Sequence, residues 1–75
     1  MQFKLYKARK EAKMTQDDLA NYLGVSRVTY GKKERGEVPF LMDEMFLISE
    51  LFGKPLTDVF VPRGNQNGYL EKIKQ

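Results

Sequence analysis

The chain has no cysteine and no histidine. Disulfides, Cys/His zinc sites, thiol nucleophiles and imidazole general bases are excluded together, which weighs against most enzyme readings. No apolar run approaches the ~20 residues that span a bilayer, and no signal-peptide pattern opens the chain. A membrane partner is therefore not expected, and a cytoplasmic protein is. The acidic neighbours Asp17/Asp18 and Asp43/Glu44 stand at helix starts, where capping and the helix dipole explain them. No Gly-rich phosphate loop or metal-ligand spacing accompanies them, so no catalytic residue, no metal and no cofactor is expected. With 75 residues there is room for one small domain, which buries about 60% of its unfolded surface.

What the sequence does contain is an uneven charge. The net charge is only +3, but residues 1–35 carry nine Lys/Arg against four Asp/Glu, and residues 36–75 carry four against six. A polyanion would sit on the first half. That half holds the stretch Thr15–Gly36, TQDDLANYLGVSRVTYGKKERG. Thr15 is an N-cap with Asp18 three residues on, the pattern of a capping box. Leu19, Ala20 and Leu23 then share a helical face, and Gly24 permits the left-handed backbone that stops a helix. Ser26 caps a second helix running from Arg27 to Arg35, which Gly36 ends. A turn this short makes the two helices cross steeply, with the small Ala20 suited to the crossing point.

At 100° per residue, Ser26, Tyr30, Lys33 and Glu34 lie on one side of the second helix. Arg27, Val28, Gly31, Lys32 and Arg35 lie on or beside the other. One side has a large anchor, Tyr30, and the free side is basic without an acid. A helix of this form fits a DNA major groove.

Residues 5–60 resemble the phage Cro and repressor type of helix-turn-helix domain. The matching residues are Thr15-Gln16, Leu19-Ala20, Leu23-Gly24-Val25-Ser26-Arg27, Tyr30 and Glu34-Arg35-Gly36. The resemblance implies an all-α, compact five-helix domain and sequence-specific DNA binding. It also implies a structural role for Arg9, paired with an acidic residue of the same domain such as Glu34, and a DNA-phosphate contact for Gln16. Free N–H groups at a helix start support that contact independently. Four positions depart from the pattern: Lys33 where Ile or Leu is usual, Lys13 where Gly or Asn is common, and Leu41 and Pro55 where small capping residues are frequent.

The other helices are expected at residues 3–12, with Leu5, Ala8 and Ala12 inward; at 41–52, with Met42, Met45, Ile48, Ser49 and Phe52 inward; and at 55–60. The lysines of the first helix are read either as a solvated face or as part of the basic surface. Residues 36–40, GEVPF, form a loop poor in Lys and Arg, expected to offer only backbone N–H groups to phosphate. The domain is placed at residues 1–60 and a linker with a short amphipathic tail at 61–75; no second domain is expected. Phe46, Leu47 and Leu51 are surplus to the inward stripe and, with Tyr69, Leu70 and Ile73 of the tail, are candidates for a dimer interface. Completion of the core beneath the tail is the other reading of the three.

On DNA, Arg27 is the candidate for bidentate reading of a guanine, and Val28 for contact with a thymine methyl. Thr29 can touch a methyl or a phosphate, and Lys32 a guanine or a phosphate. Gln16, Ser26, Lys33 and Arg35 are the phosphate candidates, and Asp17 is expected to face away from DNA. One such helix covers few base pairs, so a homodimer on a palindromic operator is expected, with half-sites ~34 Å apart. The reading is thus a sequence-specific double-stranded-DNA-binding regulator, Cro-like, from a phage, prophage or small bacterial repressor. The alternative is a helical protein-interaction module, such as an antitoxin, in which a protein partner is primary.

Overall fold

Four backbone positions with positive φ, Lys13 (58°), Gly24 (74°), Gly36 (86°) and Gly53 (63°), divide the chain into helices. The computed structural model describes residues 1–62. Among them are α1 (Phe3–Glu11), α2 (Gln16–Leu23), α3 (Arg27–Arg35), α4 (Met42–Phe52) and the short α5 (Leu56–Val59), with no strand. The all-α, five-helix expectation is met. Each left-handed residue closes the helix before it with the same two hydrogen bonds. After α1, the Met14 N–H donates to the Arg9 carbonyl and the Lys13 N–H to the Lys10 carbonyl. After α2, Val25 donates to Ala20 and Gly24 to Asn21, a Schellman motif that satisfies carbonyls otherwise left bare.

The helix starts differ in quality. Thr15 and Asp18 form the full capping box of α2: Thr15 Oγ1 accepts from the Asp18 N–H at 3.0 Å, and Asp18 Oδ2 from the Thr15 N–H at 2.8 Å. At α4 the cap position is Leu41, which has no acceptor. Only the reciprocal half exists there, with Glu44 Oε1 accepting from the Leu41 N–H at 2.9 Å.

The core is Leu5, Leu19, Ala20, Tyr30, Ile48 and Val59, with Met14, Leu23, Val25, Phe40, Phe52 and Phe60 packed against it. Ala20 is buried on the inward face of α2. Phe40 draws the α3–α4 loop inward by edge-on contacts with Tyr30 and Phe60, at 6.1 and 5.2 Å between centroids. Two expected stripes are corrected. Ala12 is exposed and Arg9 takes the inward place in α1. In α4, Met42 is exposed, whereas Glu44 is buried beside Ile48. Both substitutions put a charged side chain inside because a partner awaits it there.

Gln2 closes the domain. Its side-chain amide donates to the Val61 carbonyl at 3.0 Å and accepts from the Val61 N–H at 2.7 Å. Its own N–H donates to the Glu34 carbonyl at 2.8 Å. One buried residue thus ties the start of the chain to the end of α3 and to the segment after α5.

Candidate nucleic-acid interface

The position of α3 is set by one buried polar cluster. Glu34 is 2% exposed and its carboxylate is fully used. Oε2 accepts from Arg9 Nε at 2.8 Å and from the Tyr30 hydroxyl at 2.7 Å; Oε1 accepts from Arg9 Nη2 and Gln16 Nε2, each at 3.1 Å. Arg9 Nη1 donates to the Met14 carbonyl at 2.9 Å. Three helices and the α1–α2 turn therefore converge on one residue of α3. Burial alone would raise the Glu34 pKa, but the hydrogen bonds from Arg9, Tyr30 and Gln16 outweigh it and hold the carboxyl below the usual glutamate value. Burial, reinforced by the bond to Glu34, pushes the Tyr30 hydroxyl well above the ordinary tyrosine value. The structural role expected of Arg9, with Glu34 as its partner, is the one observed.

Against that anchor, α3 turns its other side outward. Arg27, Val28, Lys32 and Arg35 are exposed, Val28 at 68%, although it is an aliphatic residue. Ser26 is occupied as a cap: Oγ accepts from the Thr29 N–H at 3.1 Å and donates to Thr29 Oγ1 at 2.9 Å. The donor that remains at this corner is the Thr29 hydroxyl, since Thr29 accepts from Ser26. Gln16 is half-buried between Glu34 and the bare backbone of Gly31, and its backbone N–H opens α2.

The phosphate contact expected of Lys33 requires a correction. Its ammonium is buried, 2.5 Å from Glu44 Oε1 and 5.9 Å from the centre of the Phe40 ring. An ammonium held there cannot reach a DNA phosphate. The lysine that replaces the usual Ile or Leu keeps the inward place of that residue and brings its own counter-charge. From sequence Glu44 has only a helix-start role, which its bond to the Leu41 N–H fills; its burial as the partner of Lys33 is not visible there.

Asp17 is exposed, and its Oδ1 lies 3.9 Å from Arg27 Nε at the start of the basic face. Glu37 stands at the other end, bonded to Arg35 Nε at 2.6 Å across the left-handed Gly36. In the α3–α4 loop the N–H groups of Glu37 and Val38 both point to the Lys32 carbonyl, that of Gly36 to Lys33 and that of Leu41 to Glu44, while Pro39 has none, so Phe40 carries the loop's one N–H without such a bond among the described residues.

Of the dimer candidates, Phe46, Leu47 and Leu51 are exposed on α4, and the Leu47 carbonyl accepts from the Tyr22 hydroxyl at 3.3 Å. Tyr69, Leu70 and Ile73 lie outside the described residues. No described helix is long and apolar enough to cross a membrane.

Comparison with known proteins agrees with this geometry. An uncharacterized HTH-type transcriptional regulator of Methanocaldococcus jannaschii is 40% identical over 48 residues, covering 64% of this chain and 73% of its own length. The family model described as Helix-turn-helix matches residues 5–59, which run from the first core residue of α1 to the last residue of α5. The chain belongs to the helix-turn-helix family, of the Cro and repressor type.

Proposed function

We propose that this chain is a sequence-specific regulator of transcription that binds double-stranded DNA with α3 in the major groove. Membership of the family and the regulator name of the archaeal relative support DNA-binding transcriptional regulation. The observation that carries the finer reading is α3 itself. Tyr30 and Glu34 fix one side in the core, and Arg27, Val28 and Lys32 are left exposed on the other. Arg27 has the donors to grip one guanine and Val28 the shape to meet a thymine methyl. Gln16, through the opening turn of α2, and the free hydroxyl of Thr29 offer donors to phosphate, beside the cap provided by Ser26.

A single helix reads too few base pairs to be selective. The active species is therefore a homodimer on a palindromic operator, with half-sites ~34 Å apart. The exposed Phe46, Leu47 and Leu51 supply an apolar face for that association. A small Cro-like repressor works in this way.

Selection from a pool of random duplexes, with binding followed at two salt concentrations, tests the reading. Enrichment of a palindromic sequence with half-sites about one turn apart is expected. Steeply salt-dependent binding to every duplex, without enrichment, would leave a nonspecific basic domain.

A further inference from the structure

Arg35 stands in the last turn of α3, the end that usually leaves the groove and meets backbone phosphate. Its side chain does not extend outward from there. A Cβ on Gly31, one turn earlier, would come within 3.1 Å of Arg35 Nη1. The guanidinium therefore lies back over Gly31, in the direction that helical side chains lean. It lines a concavity of about 220 Å³ together with Gln16, Arg27, Val28 and Gly31. That hollow sits among the residues already placed for base reading. Gly31 has an ordinary helical backbone and needs no glycine for its conformation. Its missing side chain makes the space that Arg35 occupies.

Glu37 holds the head in that place. Its Oε2 takes Arg35 Nε at 2.6 Å, and the charge and hydrogen bond of Arg35 in turn hold the Glu37 carboxyl below its usual pKa. With Nε spent, the end formed by Nη1 and Nη2 remains for bidentate bonding. A carboxylate this close repels phosphate, whereas O6 and N7 of guanine are uncharged acceptors that tolerate it. We infer that Arg35 reads a guanine in the major groove, with Glu37 as its positioning residue and Gly31 as the opening that admits it. This rests on the reading of α3 as the recognition helix and adds a second base-reading arginine to it.

The test is the same duplex selection, run on the full chain and on Arg35→Ala, Glu37→Gln, Gly31→Ala and Arg27→Ala, with affinities for the selected and a random duplex at two salt concentrations. Arg35→Ala should lose about ten-fold in preference for one G·C pair, at a position different from the one lost in Arg27→Ala. Glu37→Gln should blur the same pair as Arg35→Ala while binding random DNA at least as tightly as before. Gly31→Ala should blur it too, yet melt higher, so that lost folding cannot explain the result. Equal weakening on both duplexes by Arg35→Ala, with the salt slope reduced by about one, would make Arg35 a phosphate contact and overturn the inference. An unchanged base profile in Glu37→Gln would remove its positioning role. If Arg27→Ala alone alters the profile, α3 reads DNA without Arg35. If the parent chain selects nothing, the reading of the whole helix fails first.

Discussion

Arg9 and Arg35 both give Nε to a glutamate, at 2.8 Å to Glu34 and at 2.6 Å to Glu37. The first pair has side chains 5% and 2% exposed; the second has them 53% and 54% exposed. The same Nε contact, doubled by Nη2 in the buried pair, therefore has different consequences. In the buried pair each partner is the other's replacement for water, and neither can be removed alone without leaving a charge stranded. In the exposed pair water would accept either charge, so little stability depends on the bond. What remains for it to fix is a direction. One region of the molecule uses an arginine–glutamate contact to place α3, and the other uses it to aim a side chain from α3.

The largest predicted effect breaks the buried pair. Arg9→Met leaves Glu34 with only Tyr30 and Gln16 as side-chain donors and should cost about 3–5 kcal/mol of stability. The urea midpoint reads this directly. Glu37→Gln should leave that midpoint where it was. Equal shifts in the two variants would mean that burial does not separate the pairs.

The pH dependence follows from the same cluster. The Glu34 pKa is lowered by folding, so its contribution is fully present above the ordinary glutamate value and is lost as pH falls through that value toward the folded one. The Tyr30 pKa is raised, so its contribution is fully present below the ordinary tyrosine value and is lost as pH rises beyond it. Urea midpoints across pH should therefore fall at both ends. In Arg9→Met the acid limb should flatten, because burial then opposes the remaining hydrogen bonds. An unchanged acid limb would show that Arg9 does not set the Glu34 titration.

Between these extremes stands Lys33–Glu44, a buried pair where the family usually has an aliphatic side chain. Lys33→Leu combined with Glu44→Gln keeps an acceptor for the Leu41 N–H and removes two buried charges. Stability should stay level or rise by about 1–4 kcal/mol, as for other buried pairs replaced together. Binding to random DNA should keep its salt slope, because the Lys33 ammonium is buried against Glu44. A slope reduced by one unit would return Lys33 to the interface. On the exposed side of α3, Arg27→Ala should, on the proposed reading, lower discrimination at one base pair by roughly 1–3 kcal/mol without moving the urea midpoint.

The contrast also separates what sequence reading reached from what it did not. The capping box at Thr15 and Asp18, the stops at Gly24 and Gly36 and the inward place of Ala20 are local patterns, and each is legible in the sequence. The outward set Arg27, Val28 and Lys32 followed from helical period alone. Lys33, Glu44 and Gln2 did not, because each is buried by virtue of a partner 11 to 59 residues away. Hydrophobic period registers how apolar a position is and is blind to whether a distant charge or backbone group will satisfy it. Helical period puts Lys33 on the side of Tyr30, but nothing local shows its counter-charge on α4. The Arg35–Glu37 contact spans only two residues, but it needs the turn at Gly36 and the gap at Gly31, which become meaningful together only in three dimensions.

The smallest effects compare two junctions of the backbone. The α1–α2 turn and the α2–α3 turn use the same pair of hydrogen bonds, with Lys13 at φ 58° in one and Gly24 at φ 74° in the other. An L-residue in this conformation is strained by about 1–2 kcal/mol relative to its preferred backbone. At Lys13 the strain is tolerated because the turn presents the Met14 carbonyl to Arg9, part of the buried cluster. Lys13→Gly should release most of it, offset by the greater freedom of glycine when unfolded, for a net gain of about 0.5–1 kcal/mol. Gly24→Ala is the mirror experiment. No atom lies within 4 Å of the added Cβ, so its cost should be the backbone term alone, about 1 kcal/mol. Opposite shifts of similar size in the two urea midpoints would show that one motif with one strain closes both turns. A loss in Lys13→Gly would mean that the lysine side chain contributes something to the α1–α2 junction beyond its backbone.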